Sequence, residues 1–480
     1  GYALAYERLT DHLSKKTGPR HRLWRIRAKQ IVPATGAIER PLSFAGNDIP
    51  GVMLASAVRD YAVNFGTSVG DRTVVVTNND DAYRTAIAMK QAGLDVPAII
   101  DARLAAGPVA SEAAALGIRI LYGKAISSVH GGKRVTGVAI CSQAGEGGGV
   151  LEEVDCDAVA MSGGWSPVVH LWSHCGGKLI WDEGQSHFRP DPSRPPLGAD
   201  GTGFVSTAGI AHGAMTTRDC LVSGHDAGAA AANLARATGK AGKAAKGDAP
   251  VEAAMMPVWI MPQGAGYKLR SKMWLDYQND VKVSDVQLAA QEGYESVEHT
   301  KRYTTLGMAT DHGKLSNING LAVLSDALGQ VIPATGTTTF RPPYTPISLG
   351  SIGGEARGDL FQPLRKTPIH AWSDKNGAYW EPVGQWRRVY TYQRDDESIE
   401  DAVNREVKNT RDNLGLLDAS TLGKLIVKGP DAGKFLDMMY TNMMSTLPVG
   451  KCRYGLMCGE NGFLSDDGVV ARMDDDTWLC

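Results

Sequence analysis

The 480-residue sequence has few cysteines, and no two of them form a Cys-x-x-Cys pair. The seven cysteines are scattered along the chain, at positions 141, 156, 175, 220, 452, 458 and 480. An odd number without paired spacing argues against a disulfide framework and against a structural zinc site. We therefore predict no metal site and a reducing, cytoplasmic location.

Long apolar runs and an excess of charge of one sign are also missing. No run approaches the roughly 20 apolar residues that a membrane helix needs, and no basic stretch followed by an apolar one forms a signal peptide. The formal net charge at pH 7 is −2, which gives no reason to expect a polyanion partner. The sequence thus predicts neither a membrane nor a nucleic-acid partner.

Both ends of the chain lie within patterned sequence. The first residue is Gly1 rather than Met, and the last four, Thr-Trp-Leu-Cys480, have strand character that nothing terminates. We therefore expect an internal fragment of a longer polypeptide, truncated at both ends.

Residues 28–41 predict a buried strand that ends in a nucleotide-contacting turn. Ile31 and Val32 supply the apolar run, and Thr35 and Gly36 supply the small residues of the turn. A ligand across the carboxyl end of a parallel sheet needs small residues there, because larger side chains hold the backbone away from it. Residues 156–167 repeat this pattern with Gly163 and Gly164.

A third small-residue turn lies at Ala208 and Gly209. It follows a predicted strand at 204–207 and precedes an Ala- and Gly-rich helix at 217–235. A helix with so little bulk is expected to pack closely on something, with its N-terminus directed where a pyrophosphate would bind.

Between these turns, residues 71–101 predict a βαβ unit. Its strands are 73–76 and 96–100, its helix is 83–92, and Asp101 follows the second strand, where dinucleotide folds place a ribose-binding carboxylate. However, the loop contains Asp80 and Asp81 instead of a glycine fingerprint, and two carboxylates repel a pyrophosphate. The alternatives are a nucleotide site and a structural relic in which Asp80 is a helix N-cap and Asp101 a turn residue.

Residues 1–240 resemble flavoprotein reductases in which one nucleotide domain is inserted into another. The basic, low-complexity run at 237–247 indicates a linker.

The run from Val297 to Ser316 resembles a helical [2Fe-2S] module of amine dehydrogenases, but Asp311 and Ser316 stand at the cysteine positions. Because such clusters need thiolates, we expect this module to fold without one. Lys301, Arg302, Thr304 and Thr305 are candidates for binding a flavin phosphate or a partner subunit, and a solvated helix end is the alternative.

Residues 367–480 resemble the start of a glycine-cleavage aminomethyltransferase. The matching blocks include Gly450-Lys451-Cys452-Arg453-Tyr454 and the run from Asn461 to Asp467. The resemblance implies that Asp466, the first of an Asp-Asp pair, orients a folate one-carbon acceptor; a plain hairpin is the alternative. Tyr454 is interpreted either as stacking on the pterin or as a core strand residue.

Together with the Thr337–Pro346 run, these features resemble the alpha subunits of heterotetrameric sarcosine oxidases. The resemblance implies that this chain binds NAD and tetrahydrofolate, with beta, gamma and delta subunits as partners and FAD and FMN on a partner subunit. It also implies that sarcosine is oxidised on the partner. The rival hypotheses are a free-standing FAD- or NAD-dependent reductase and a non-catalytic scaffold for flavin subunits.

The glycine pattern favours the outer fold as the NAD site. There, Ile210 and Met215 are expected to cover the cofactor and Thr217 to donate a hydrogen bond at the helix start. The predicted class is α/β with two dinucleotide-binding folds, followed by a cluster-less ferredoxin-like module and the start of an α+β aminomethyltransferase domain. The predicted domains are 1–48 plus 157–240 (outer), 49–156 (inserted), 241–269 (linker), 270–340 (helical module) and 365–480 (folate).

Overall fold

The computed structural model describes residues 2–240 and 242–480 and contains two compact units, Gly1–Ser351 and Ile352–Cys480. The strands of the first unit are β1 (Tyr2–Arg8), β2 (His21–Arg27), β3 (Ala37–Glu39), β4 (Val52–Leu54), β5 (Thr73–Thr77), β6 (Ile99–Asp101), β7 (Ile120–Tyr122), β8 (Lys124–Gly131), β9 (Val135–Ser142), β10 (Glu152–Asp155), β11 (Ala158–Ser162), β12 (Trp165–Pro167), β13 (Leu179–Asp182), β14 (His187–Pro190), β15 (Trp274–Asp276) and β16 (Val281–Lys282). Its helices are α1 (Ala55–Phe65), α2 (Asp81–Gln91), α3 (Val109–Ala115), α4 (His170–His174), α5 (Thr217–Leu234), α6 (Tyr267–Arg270), α7 (Val283–Gln291), α8 (Val297–Thr304), α9 (Asn317–Ala327), α10 (Ile332–Thr335) and α11 (Leu349–Gly353).

The second unit contains strands β17 (Arg365–Lys366), β18 (Ala378–Val383), β19 (Trp386–Tyr392), β20 (Ile426–Lys428), β21 (Cys452–Cys458), β22 (Leu464–Arg472) and β23 (Thr477–Leu479). Its helices are α12 (His370–Lys375), α13 (Ile399–Asp412) and α14 (Ala432–Met439). Within the described ranges of both units, no helix has the length and apolar character needed to span a bilayer.

A five-stranded parallel sheet forms the centre of the first unit, in the order β4-β11-β5-β6-β7. Val75 and Ile99 face helices α1 to α3, while Val74 and Ile100 face the three-stranded sheet β10-β9-β8. Since both faces are covered, the strands are continuously apolar, as the Val-rich run at 73–76 predicted. The α/β class is confirmed.

Two details of this sheet differ from the sequence interpretation. The strand at 158–161, which the predicted boundary at residue 157 assigned to the outer domain, is β11 and pairs with β5 at the centre of the inserted sheet. The helix begins at Asp81 rather than residue 83, and the second strand is Ile99–Asp101 rather than 96–100.

The outer region has less regular structure than the two predicted strands suggested. The strands expected at Ile31–Val32 and 204–207 are reduced to a single parallel bridge between Ile31 and Val205. Pro33 follows at once, and a proline has no amide with which to continue a ladder. Helix α5 packs against the turn at Gly209, whose amide donates to Ser223 Oγ at 3.1 Å, but none of its 18 residues is buried.

The helical module is built around α7, α8 and α9, whose core includes Val286, Leu306 and Leu321. The Ser284-x-x-Gln287 spacing predicts a capping box with Ser284 as the N-cap, but this is wrong, because the N-cap of α7 is Lys282, two residues earlier. Its cap uses Asp285, whose carboxylate accepts from the Lys282 amide at 2.9 Å.

The second unit combines two sheets with helices, and β17 joins the first sheet parallel to β19. Strands β18 and β19 pair beside α12 and α13, and the second sheet has the order β20-β23-β22-β21. Trp478, Leu436 and Val470 form the centre of its core with α14. The long β21–β22 hairpin carries the residues predicted to bind folate.

Candidate functional site

The predicted nucleotide turn at Thr35 and Gly36 is an open corner bonded to the chain after β12. Thr35 Oγ1 donates to the Val168 carbonyl at 2.6 Å, and the Val168 amide donates to the Gly36 carbonyl at 2.9 Å. Gly36 has φ +71°, and a Cβ there would meet no described atom within 4 Å. Gly36 is therefore needed for its backbone conformation, and the space beside it is free for a ligand.

The turn at Ala208 and Gly209 reaches the same corner. The Ala208 amide donates to the Pro33 carbonyl at 3.1 Å, and Gly209, with φ +63°, begins a short 3-10 turn that leads toward α5. Ile210 and Met215 are half-buried beside it. The structure thus brings together two of the three predicted small-residue turns.

Gly163 and Gly164 lie in a different environment. They hydrogen bond with Arg40: the Gly163 amide donates to the Arg40 carbonyl, and the Arg40 amide to the Gly164 carbonyl, both at 2.8 Å. A Cβ on Gly163 would lie 2.7 Å from the Pro41 carbonyl oxygen, and one on Gly164 2.5 Å from Met255 Sδ. Close packing within the chain therefore accounts for both glycines without a ligand.

The start of α5 differs from the prediction made for Thr217. The N-cap is Thr216, whose Oγ1 accepts from the Asp219 amide at 3.2 Å, while the Arg218 amide donates to the Asp248 carbonyl at 3.1 Å. Thr217 is the first helical residue and is exposed. Because two amides of the first turn already donate hydrogen bonds within the chain, fewer amides at this helix start are free to bind an anion.

In the inserted fold, the two strand-end carboxylates are buried in an ion cluster. Arg103 Nη2 lies 2.8 Å from Asp80 Oδ1 and 2.8 Å from Asp101 Oδ2, and the Tyr83 hydroxyl donates to Asp101 Oδ2 at 2.8 Å. Burial alone lowers the pKa of Arg103, but Asp101 and Asp80 outweigh it and raise the pKa above its usual value. The guanidinium therefore stays charged.

The cluster adds to both residue assignments. Asp80 stands at the N-cap of α2 but makes no side-chain capping bond there. Asp101 is an ion-pair partner as well as a turn residue, since its Oδ1 accepts from the Arg103 amide at 2.9 Å. Both carboxylate oxygens of Asp101 already accept hydrogen bonds from the chain, so neither is free to accept one from a ribose hydroxyl. The arrangement fits the hypothesis of a structural relic, which stays a prediction.

A pocket of about 260 Å³ lies in the helical module. Its charged lining includes Lys301 and Arg302 at the end of α8 and Arg341, against the single carboxylate of Glu298. Glu298 accepts from Arg302 Nη1 at 2.9 Å and from the Thr339 amide at 2.6 Å. The pocket therefore has a net positive charge that suits an anionic group.

His170 of α4 also lines this pocket, and its ring is packed between Phe340 at 4.4 Å and Tyr344 at 5.1 Å between ring centroids. Neither ring nitrogen has a hydrogen-bond partner among the described residues. Burial lowers the pKa of His170 to about 4, so the ring is neutral at pH 7. Sequence reasoning missed His170 and Arg341 because each joins the pocket from a distant segment without a local motif.

The four residues predicted for a flavin phosphate or a partner divide into two pairs. Lys301 and Arg302 line the pocket. Thr304 Oγ1 instead donates to the Thr300 carbonyl at 2.8 Å, and Thr305, with φ +63°, ends α8.

Asp311 and Ser316, which stand where [2Fe-2S] modules carry cysteines, form part of a compact loop. Asp311 Oδ1 accepts from the Gly313 amide at 3.0 Å, and Ser316 is buried at the start of α9. Lys314 Nζ donates to the carbonyls of Asp311 at 2.9 Å and Tyr344 at 2.6 Å. An ammonium group therefore bonds to the loop's own backbone between these two positions.

On the β21–β22 hairpin, the predicted folate residues Tyr454 and Asp466 lie on opposite faces. Asp467 pairs with Leu456 and Asp466 with Met457, and successive strand residues alternate in direction. Tyr454 therefore shares a face with Asp467, and its hydroxyl contacts that carboxylate. This hydrogen bond raises the pKa of Tyr454.

Asp466 shares its face with Gly468 and the buried Val470, toward Tyr440 of the same unit. The Tyr440 hydroxyl lies 4.0 Å from where a Cβ on Gly468 would be. Burial and then the charges of Cys480 and Asp466 raise the pKa of Tyr440. Tyr440 is thus an aromatic residue close to Asp466. The sequence did not reveal this proximity, because it depends on how α14 packs.

Comparison with known proteins identifies two domain families. The family model described as the sarcosine oxidase A3 domain matches residues 270–356, and the model described as the GCVT N-terminal domain matches residues 369–480.

Curated relatives extend the similarity to the whole chain. The sarcosine oxidase subunit alpha of Corynebacterium sp. (strain P-1) is 40% identical over 490 residues, covering 100% of this chain and 49% of the relative. The sarcosine oxidase subunit alpha of Rhizobium meliloti (strain 1021) is 40% identical over 488 residues, covering 99% of this chain and 46% of the relative. The chain spans about half the length of the curated relatives it matches.

Among solved structures, the L-proline dehydrogenase of P. horikoshii superposes with a TM-score of 0.52 at 18% identity, over 69% of this chain and 60% of that one. At this identity the similarity concerns the fold alone.

Proposed function

The chain belongs to the family of sarcosine oxidase alpha subunits, and from this premise we propose that it serves a multi-subunit oxidase that demethylates sarcosine. The observation that carries the proposal is the 40% identity along the whole chain, which includes the nucleotide-fold region as well as the two domain-family matches. The partners in this proposal are beta, gamma and delta subunits.

In this function, sarcosine loses two electrons and two protons to become an imine, and oxygen takes up both electrons and two protons to become hydrogen peroxide. FAD and FMN on a partner subunit would supply the electron transfer when bound. Water then releases formaldehyde and glycine from the imine. Alternatively, the two nitrogens of tetrahydrofolate accept the one-carbon unit as 5,10-methylenetetrahydrofolate, and glycine leaves as the amine.

The proposed contribution of the helical module is to hold an anionic group of the partner's flavin. Lys301, Arg302 and Arg341 give the pocket its positive charge, and arginine side chains suit phosphate recognition because they donate in a fixed fork. His170 is buried and its ring nitrogens have no hydrogen-bond partner within residues 2–240 and 242–480, which is consistent with a site that is completed by another molecule. We propose that Lys301 and Arg302 bind the flavin phosphate.

The proposed contribution of the second unit is folate chemistry at Asp466. Its carboxylate is exposed on the hairpin face that leads to Tyr440, so a folate nitrogen has access to it. The role proposed is to orient the acceptor and move a proton during one-carbon transfer. Tyr454 lies on the other face of the hairpin. A pterin that contacts both Tyr454 and Asp466 would have to lie at the hairpin edge.

The proposed NAD site is the open corner of the outer region. Gly36 and Gly209 both have positive φ, and the space beside Gly36 is free. Thr35, Ala208, Ile210, Met215 and Thr217 complete the set of proposed NAD contacts, whereas Gly163 and Gly164 serve chain packing.

The test uses the full-length subunit, expressed together with its genomic neighbours and purified through a tag on this chain. We expect flavin-bearing partners to co-purify, and sarcosine to drive peroxide formation by the complex. Absence of both would contradict the proposal.

Acid release of bound nucleotide then distinguishes this function from its rivals. NAD on this subunit supports the proposal, and FAD on this subunit would indicate a free-standing reductase. Release of neither nucleotide, together with an unchanged oxidase rate when this subunit is omitted, would indicate a scaffold.

A further inference from the structure

Residues 252–262, which we call the strap, cross the carboxyl ends of the inserted parallel sheet. The Met256 amide donates to the Asn78 carbonyl at 3.2 Å, and Asn78 Nδ2 donates back to the Met256 carbonyl at 2.7 Å. Val258 and Met261 are buried in the core beneath. This part of the chain was expected to be a linker, yet it covers the edge where open parallel α/β sheets bind their ligands.

The buried ion cluster of this fold bonds directly to the strap. Asp80 Oδ2 accepts from the Ala253 amide at 2.8 Å, and Arg103 Nη1 donates to the Ala254 carbonyl at 3.3 Å. The side chains of Asp80 and Arg103 are 0% and 5% exposed, so these are not solvent-screened surface contacts. The two residues that form this ion pair therefore also hold the strap backbone.

A third segment meets the strap at Gly107. Its amide donates to Asp80 Oδ2 at 3.1 Å, and a Cβ there would lie 2.3 Å from Asp80 Oδ2 and 3.0 Å from the Ala253 nitrogen. The loop after β6, the start of α2 and the strap are thus in van der Waals contact. No space for a pyrophosphate exists between these three segments.

We infer that the strap is a built-in cover that closes the inserted fold to dinucleotides, and that the Asp80–Arg103 ion pair fastens it. Removing the strap would expose the cluster and take from Asp80 one of its amide donors, and buried charges are unfavourable without their full set of partners. The ion pair and the cover therefore stabilise each other. This inference does not depend on the proposed function, because it concerns a fold to which no cofactor is assigned.

Hydrogen exchange on the full-length protein tests the fastening. The amides of Ala253 and Met256 should exchange slowly, and Asp80→Asn should accelerate them by about 10-fold or more, because it removes one charge of a buried pair. The matched control is Asp95→Asn. Asp95 pairs with Arg72 at 3.5 Å at the opposite end of the same sheet and is 49% exposed, so its variant should leave the strap unchanged.

A second variant and a ligand experiment keep the inference testable if Asp80→Asn misfolds. Gly107→Ala should also accelerate exchange at Ala253, because its methyl group would displace the strap. Saturating NAD should leave exchange at residues 253 and 256 unchanged in the wild type. Fast exchange there without any substitution, equal effects of both variants and Asp95→Asn, or a response of the strap to NAD would each overturn the inference.

Discussion

The hydroxyl of Tyr454 contacts the carboxylate of Asp467, although the sequence had associated Tyr454 with Asp466. The two aspartates are adjacent but point to opposite faces of the hairpin, because their partners on β21 are Leu456 and Met457. The hairpin therefore presents two alternative carboxylates, one on each face, and only one of them is expected to act on folate.

Asp466→Ala should separate folate chemistry from sarcosine oxidation. In the full-length complex we expect peroxide formation to persist while methylenetetrahydrofolate formation falls by about 10²-fold or more, because a proton-transfer group is lost. Asp467→Ala is the matched control, since it removes the neighbouring carboxylate and its contact with Tyr454. A folate defect in Asp467→Ala alone would move the site to the Tyr454 face, and loss of both activities in Asp466→Ala would indicate a structural role.

Substitutions in the two nucleotide folds should locate NAD. Gly36→Val and Thr217→Val should each reduce the NAD released by acid, the first because a branched side chain is strained at φ +71° and occupies the free space. Asp101→Ala should not reduce it per folded molecule, although it leaves Arg103 short of a partner and lowers the free energy of unfolding by about 3 kcal/mol.

The isosteric Asp101→Asn provides a check on folding in that experiment. Thr216→Val provides another, since it removes the α5 cap, worth about 1 kcal/mol, without touching the proposed contacts. NAD retained in Gly36→Val and lost in Asp101→Asn would place the cofactor in the inserted fold.

Neutralising the cationic pocket should weaken flavin retention. Lys301→Gln and Arg302→Gln are each expected to lower the flavin content of the purified complex, with the largest difference from wild type at low salt, because salt screens the electrostatic contact in the wild type. Lys268→Gln, an exposed lysine of the short helix α6, is the control. Flavin content that stays at the wild-type level in both pocket variants would assign these residues to a solvated helix end.

The helical module should contain no iron. Asp311 and Ser316 bond or pack within their own loop, and neither offers a thiolate to a cluster. Iron and acid-labile sulfide assays on the full-length protein are expected to give substoichiometric values. A stoichiometric [2Fe-2S] cluster assigned to this module would contradict both the prediction and the resemblance behind it.

His170 should make folding stability depend on pH. Burial lowers its folded-state pKa to about 4 from the usual 6.5, so the unfolded chain binds more protons between those values. The stability contribution is complete above about pH 6.5 and declines as pH falls toward 4, by about 3 kcal/mol in total. His170→Gln should lose less free energy of unfolding than the wild type between pH 7 and pH 4.5 in urea titrations. Equal slopes would show that this ring is not held neutral.

Sequence patterns established the α/β class, the central βαβ unit and the family. The Val-rich run at 73–76 and the helix after it are local signals, since periodicity depends on neighbouring residues alone. The family followed from two long runs, 297–316 and 337–346, whose residue order is itself the information.

Contacts between segments that are distant in the sequence could be identified only from the tertiary structure. Arg103 pairs with Asp80 from 23 positions away, and the strap reaches the same carboxylate from 173 positions away. A buried charge requires a partner, but nothing in the local sequence says which segment provides it. The same holds for the choice between Asp466 and Asp467, because strand register decides which side chain shares a face with Tyr454. The amino-acid sequence by itself determined the α/β class, the central βαβ unit and the family, whereas packing alone decided which carboxylates are exposed to a ligand and which are enclosed by the chain.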